Sequence, residues 1–150
     1  MAIPALARDF KEFLKSLNSN RVEYLLIGGY AVGIHGHIRA TNDLDVWVNI
    51  SPENAARIDR ALREFGFAAA ELTSSLFLDP NNVVRVGVPP IRIKILTSIS
   101  GVKFESCYVE KETIRIEDMV VPVISLVRLR QNKAASGRAK DLADLESLPE

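Results

Sequence analysis

The stretch "LIGGYAVGIHGHIRATNDLDVWV", residues 26–48, decides the fold. Its start completes "EYLLIGG", a short apolar strand closed by two glycines. Its end opens "DLDVWVNI", whose β-branched and aromatic residues favour a second strand. The glycine-dotted segment between them reads as a short helix. Within a strand, side chains at i and i+2 share a face about 6 to 7 Å apart along the chain. Asp43 and Asp45 therefore point one way, and Leu44 and Val46 point the other way into a core. Two like charges side by side raise each other's pKa unless a cation or hydrogen-bond donors compensate. A divalent metal is the obvious compensator. Carboxylates with room for water and phosphate oxygens suit Mg²⁺, which implicates a nucleoside triphosphate.

Gly28 and Gly29 fit the same idea. Residues without Cβ let backbone N–H groups approach a phosphate chain, and a helix starting there adds its positive dipole end. Known phosphate loops do not match: the chain has no G-K-[ST], and glycines at 28, 29 and 33 do not spell G-x-G-x-x-G.

Working outward, Leu6, Phe10, Phe13, Leu14 and Leu17 recur at helical spacing, so residues 4–18 read as an amphipathic helix ending in "NSN". Ser51 is an N-cap, Pro52 the first helical position and Glu53 a first-turn acid. Asn54 stands where Glu or Gln would complete a capping box. Ala55, Ile58, Leu62 and Phe65 carry that helix to a C-terminal cap at Gly66. "VVRVG", "IRIKIL", "ETIRI" and "VVPVIS" supply further strands, with Pro122 marking the last as an edge or broken strand. Ser125 caps a helix beginning at Leu126, and "SGR" separates it from "AKDLADLESL". The pattern predicts a single domain over residues 1–150, α/β or α+β: a small mixed sheet flanked by helices, with helices at the C-terminus.

Composition sets the outer limits. With 47% hydrophobic and 25% charged residues in 150, the chain suits one globular domain. Lys plus Arg and Asp plus Glu are both 19, so partners must be read from local sites. Cys107 is the only cysteine, so neither an internal disulfide nor a disulfide-linked partner is expected. The opening "MAIPALARDF" lacks a secretory pattern, and no apolar run reaches the roughly 18 residues that span a bilayer. A soluble protein of the cytoplasm is the expectation.

A glycine pair ending a strand, an interval of about a dozen residues and Asp-x-Asp in the next strand resemble the polymerase-β-like nucleotidyltransferase superfamily. "GGYAVGIHGHIRATNDLDVWV" is similar to its small bacterial members, including those that accompany toxin–antitoxin and abortive-infection systems. "NKAASGRAKDLADLESL" resembles their helical ending. The likeness runs from residue 24 to 148. It implies that Gly28 and Gly29 hold a triphosphate, Asp43 and Asp45 bind Mg²⁺ and are the catalytic pair, and Arg39 with Thr41 lines the approach. Lys133, Arg138 and Lys140 would add positive charge. The implied reaction is attack by a protein or RNA hydroxyl on the α-phosphorus of an NTP.

The chain departs from the pattern at one place. The superfamily sets a third carboxylate on a neighbouring strand, and here "IRIKILTSISG" puts Lys94 at that position. An ammonium cannot bind Mg²⁺; it would stabilise the Asp pair without metal. Asp79 or Glu105 could substitute, although no spacing supports either.

Plainer roles stand beside these. The Asp pair could lie at a strand start capped by amides. Trp47 could pack in the core rather than stack on a base. Arg39 could pair structurally with an acid. "GRAKDLADLE" could be an exposed helix, and Lys94 an edge-strand lysine facing water. His35, His37 and Cys107 make no zinc set, and Cys107 reads as a packed residue. Three functions follow: a nucleotidyltransferase; a non-catalytic partner protein that keeps the fold, with the Lys94 ammonium replacing the metal; or an RNA-binding module using Arg39, Lys133, Arg138 and Lys140.

Overall fold

The computed structural model of the chain describes residues 6–67, 74–87 and 92–150. Its strands are β1 (Tyr24–Ile27), β2 (Asp43–Val48), β3 (Val83–Val86), β4 (Arg92–Leu96), β5 (Glu112–Ile116) and β6 (Met119–Val123). They form one mixed sheet in the order β3-β4-β2-β1-β6-β5. Around it lie α1 (Arg8–Ser19), α2 (Gly28–Ile34), α3 (Pro52–Phe65), α4 (Phe104–Val109), α5 (Leu126–Ser136) and α6 (Ala139–Ser147), with a 3₁₀ turn at Ser74–Phe77. The expected mixed sheet with flanking and C-terminal helices is what the chain forms. No helix among the described residues is long and apolar enough to cross a membrane.

Alternation in β2 does the sorting. Leu44, Val46 and Val48 are fully buried, in one core with Phe13, Leu14 and Leu17 of α1 and Ile58 and Leu62 of α3. Asp43 and Asp45 take the opposite face. β2 runs antiparallel to β1 and parallel to β4, in a register that sets Asp45 between Ile27 and Lys94 and Asp43 beside Arg92. Because β4 has β2 on one side and β3 on the other, Lys94 is not an edge-strand residue. Ile93 and Ile95 are buried behind it, as alternation requires, while Ile91 lies outside the described residues.

Two strand and helix expectations are corrected. The first helix begins at Arg8, not Pro4, whose placement lies outside the described residues; Ala7 offers no side-chain cap. β6 is an interior strand that runs through Pro122 unbroken. Its register with β1 is confined to Leu26 and Val123, so beside Pro122 no ladder N–H toward β1 is missing. "FESCYV" was given no structure by its pattern, yet it forms α4, whose Phe104 meets Trp47 edge-on at 5.1 Å. Trp47 is 1% exposed, which settles it as a core residue.

α3 shows why its capping box is incomplete. Ser51 Oγ accepts the Asn54 N–H at 3.0 Å, and Gly66 ends the helix at φ +109°. The Asn54 side chain turns inward instead of back to the cap. It accepts the Glu23 N–H at 2.7 Å and donates to the carbonyls of Glu23 and Asn49 at 3.1 and 2.8 Å. It thereby pins the helix start to the beginning of β1 and the end of β2. Asn54→Ala leaves the Glu23 N–H and the Asn49 carbonyl without this side chain, while the Glu23 carbonyl keeps the Asn49 N–H, and should cost about 2 kcal/mol, read as a lowered urea midpoint with an unchanged slope.

Candidate functional site

The site begins where β1 turns over β2. Gly28 adopts φ +71°, and a Cβ there would sit 2.4 Å from Asp45 Oδ2. Conformation and space each require glycine. A Cβ on Gly29 would sit 2.5 Å from Thr41 Oγ1 and 3.3 Å from the Arg39 guanidinium. The glycine pair therefore makes room for the protein's own side chains before any ligand arrives. α2 spans only seven residues, so the turn offers close backbone rather than the field of a long helix.

Asp43 and Asp45 share a face but not an environment. Lys94 Nζ lies 3.2 Å from Asp43 Oδ2, and Arg92 Nε lies 3.5 Å from Asp43 Oδ1. Oδ1 of Asp43 and Oδ1 of Asp45 are both buried with no hydrogen-bond partner. Burial pushes the Asp45 carboxyl above its ordinary pKa; Lys94 opposes that shift and Asp43 adds to it. Asp45 opens onto a polar cavity of about 480 Å³, with Gly28, Gly29 and Lys94 on the sheet side and Lys133, Arg138 and Lys140 on the helix side. A larger cleft of about 770 Å³ lies by Lys15, Phe65 and Phe67, away from the Asp pair.

An Asp45 oxygen without a hydrogen-bond partner at a polar cavity, with the Asp43 carboxylate beside it, suits a divalent cation that arrives with other ligands. The pair does not make a complete cage. Among the described residues no group of three His, Cys, Asp or Glu is placed to hold a metal, so neither Asp79 nor Glu105 joins the pair.

The C-terminal helices hold a second charge cluster that alternation could not reveal. Arg39 clamps Asp144 through Nε at 2.8 Å and a terminal nitrogen at 2.9 Å. Lys133 reaches Asp141 at 3.1 Å and Asp144 at 3.0 Å, and Arg138 donates to Asp141 at 2.8 Å. Both aspartates are at most 2% exposed. Burial alone would raise the Asp141 carboxyl; hydrogen bonds from Ser136, Arg138 and Lys133 outweigh it and hold it at about 2. Asp144 is likewise pushed up by burial and held low by Arg39 and Lys133. So "GRAKDLADLE" is not a merely exposed helix. Arg39, Lys133 and Arg138 are paired with these carboxylates, whereas no carboxylate lies within ion-pair reach of Lys140 among the described residues.

Gly28, Gly29, Arg39, Asp45, Lys133, Arg138 and Lys140 thus line one cavity. Asp43 stands beside it on β2, and Thr41 donates to the Asp43 carbonyl at 3.3 Å. Sequence reasoning missed Arg92, Asp141 and Asp144. Arg92 was legible, since alternation puts it on the face of Lys94. His35 is buried, with its Nε2 2.7 Å from the Ile124 carbonyl and 3.5 Å from the Glu112 carboxylate.

A sequence model of the aminoglycoside-2''-adenylyltransferase family matches residues 9–148. The chain belongs to that family. Its fold is similar to that of a Thermotoga maritima protein known from a crystal structure and provisionally described as a nucleotidyltransferase. The TM-score is 0.63 over 93% of this chain and 89% of that chain, at 18% identity. At that identity the likeness shows the fold alone. A comparison with curated proteins finds no match. Family and fold together make the chain a polymerase-β-like nucleotidyltransferase by descent, as the glycine and Asp-x-Asp pattern implied.

In this adenylyltransferase-family chain the Asp141 cluster sets an acid limit. A carboxyl depressed in the folded state contributes stability that is present above its unfolded value of about 4 and is lost as pH falls through about 2. Asp141→Asn should therefore be less stable than wild type by about 3 kcal/mol near neutrality. The gap should shrink between pH 4 and pH 2, as followed by urea unfolding at each pH.

Proposed function

We propose that the chain binds a nucleoside triphosphate with Mg²⁺ over the Gly28–Gly29 turn and transfers the nucleoside monophosphate to a hydroxyl of a protein or RNA. The observation that carries this is the Asp45 carboxylate: Oδ2 packs on Gly28, Oδ1 is buried without a hydrogen-bond partner, and the residue lines a polar cavity. Backbone amides of the turn bind the phosphates, and Arg138 and Lys140 offset their charge from across the cavity. Asp43 and Asp45 hold the cation, which when bound polarises the phosphate oxygens and eases departure of pyrophosphate. The acceptor oxygen gives up its proton to solvent and bonds to the α-phosphorus as the bond to the bridging oxygen of the β-phosphate breaks and pyrophosphate leaves.

The family's description names aminoglycosides, which are polyamines. The surroundings of this site favour another acceptor. Arg85 pairs in register with Lys94 across β3 and β4, so Arg85, Lys94 and Arg92 share the face of the Asp pair, and Arg138 and Lys140 stand opposite. Ammonium groups would meet like charges there, while an anionic acceptor would not.

A second reading, a partner protein that keeps the fold without turnover, as in a toxin–antitoxin-like pair, draws on the 3.2 Å contact of Lys94 with Asp43. Calorimetry with each of the four NTPs, with and without Mg²⁺, tests the proposed site. Metal-dependent binding should weaken at least tenfold in Asp45→Asn, which keeps the shape of the side chain. Equal binding by Asp45→Asn would place the nucleotide elsewhere.

A further inference from the structure

Four charges meet on the open face of β2 and β4. Asp43 and Asp45 contribute two negative charges, and Lys94 and Arg92 contribute two positive charges, both cations within 3.5 Å of Asp43. These four cancel before any ion arrives, and Arg85 of β3 adds a further positive charge to the same face. The position where the superfamily pattern sets a third carboxylate is filled by an ammonium, and no third metal-binding side chain joins the pair among the described residues. We infer that Lys94 and Arg92 are resident counter-ions of the Asp pair, and that they keep it free of divalent metal in the absence of a triphosphate.

The consequence rests on the nucleotide site proposed above. A bare divalent cation entering here would create a net double positive charge beside an ammonium that is two-thirds buried. A metal–triphosphate complex carries a net negative charge, so it meets Lys94, Arg138 and Lys140 favourably and brings the metal's remaining oxygen ligands with it. Metal and nucleotide then enter together, and the Lys94 ammonium passes from Asp43 toward the phosphates. The pair acts as a metal site only when loaded. With a carboxylate at position 94, the four groups of β2 and β4 would instead carry three negative charges and one positive.

Lys94→Met removes the ammonium without adding a ligand, and Lys94→Asp adds the third carboxylate. Both changes fall on a side chain with about a third of its surface exposed, and circular dichroism checks that each variant is folded. The probe is Mn²⁺ alone, with free ion counted by its paramagnetic resonance signal. Wild type should show no binding at millimolar Mn²⁺. Lys94→Met should gain at least tenfold in Mn²⁺ affinity, and Lys94→Asp should gain more. Wild-type binding as tight as that of Lys94→Met would overturn the assignment, and so would the absence of any gain in both variants. A separate arm adds a non-hydrolysable ATP analogue to wild type with Mn²⁺. Failure there would count against the proposed nucleotide site, while the titrations with Mn²⁺ alone still decide the counter-ion assignment.

Discussion

The Asp45 carboxylate rests against the bare α-carbon of Gly28, and the site is organised by that contact. β1 and β2 are antiparallel with Ile27 opposite Asp45, so the residue after Ile27 must cross directly over the Asp45 side chain. Only a residue without Cβ can cross there, and only one at ease with positive φ can make the turn. The crossing leaves backbone close to Oδ2 of a carboxylate whose other oxygen, Oδ1, is buried without a hydrogen-bond partner. A buried anion with an open coordination position next to main-chain donors is a receptor for a cation and an anion together, which describes a metal-bound phosphate chain.

The C-terminal helices complete the enclosure at an electrostatic cost of their own. Arg39, Lys133, Asp141 and Asp144 form a buried network in which each carboxylate has at least two donors. Desolvating such groups contributes little net stability even when all are paired. Its effect is positional: the network ties the segment before β2 to α5 and α6 and fixes the wall from which Arg138 and Lys140 face Asp45. Arg85, Arg92, Lys94 and Lys140 lie outside this network, which is why a chain with no net charge still presents a positive face around its Asp pair.

Much of this was legible in the sequence because short-range periodicity governs it. The strand alternation that buries Leu44 and Val46 also orients Asp43 and Asp45, and Ser51 and Gly66 bound α3 as their chemistry predicts. Contacts between distant segments were not legible. Arg39 and Asp144 are 105 positions apart, and nothing in "KDLADLE" distinguishes a buried aspartate from an exposed one. Asn54 was visible as a broken capping box, but its inward partners depend on where β1 begins. Lys94 was singled out as an exception, yet its binding to Asp43 rather than to its register neighbour Asp45 depends on side-chain reach across the parallel strands.

Everything proposed for the site requires that the Gly28 turn over Asp45 receive the phosphates. Titration of ¹⁵N-labelled protein with a non-hydrolysable ATP analogue and Mg²⁺, followed amide by amide by NMR, tests it most directly. The largest shifts should fall on the amides of Gly28 and Gly29, with Asp45 and Lys94 next. Shifts concentrated instead around Lys15, Phe65 and Phe67, in the larger cleft, would contradict it.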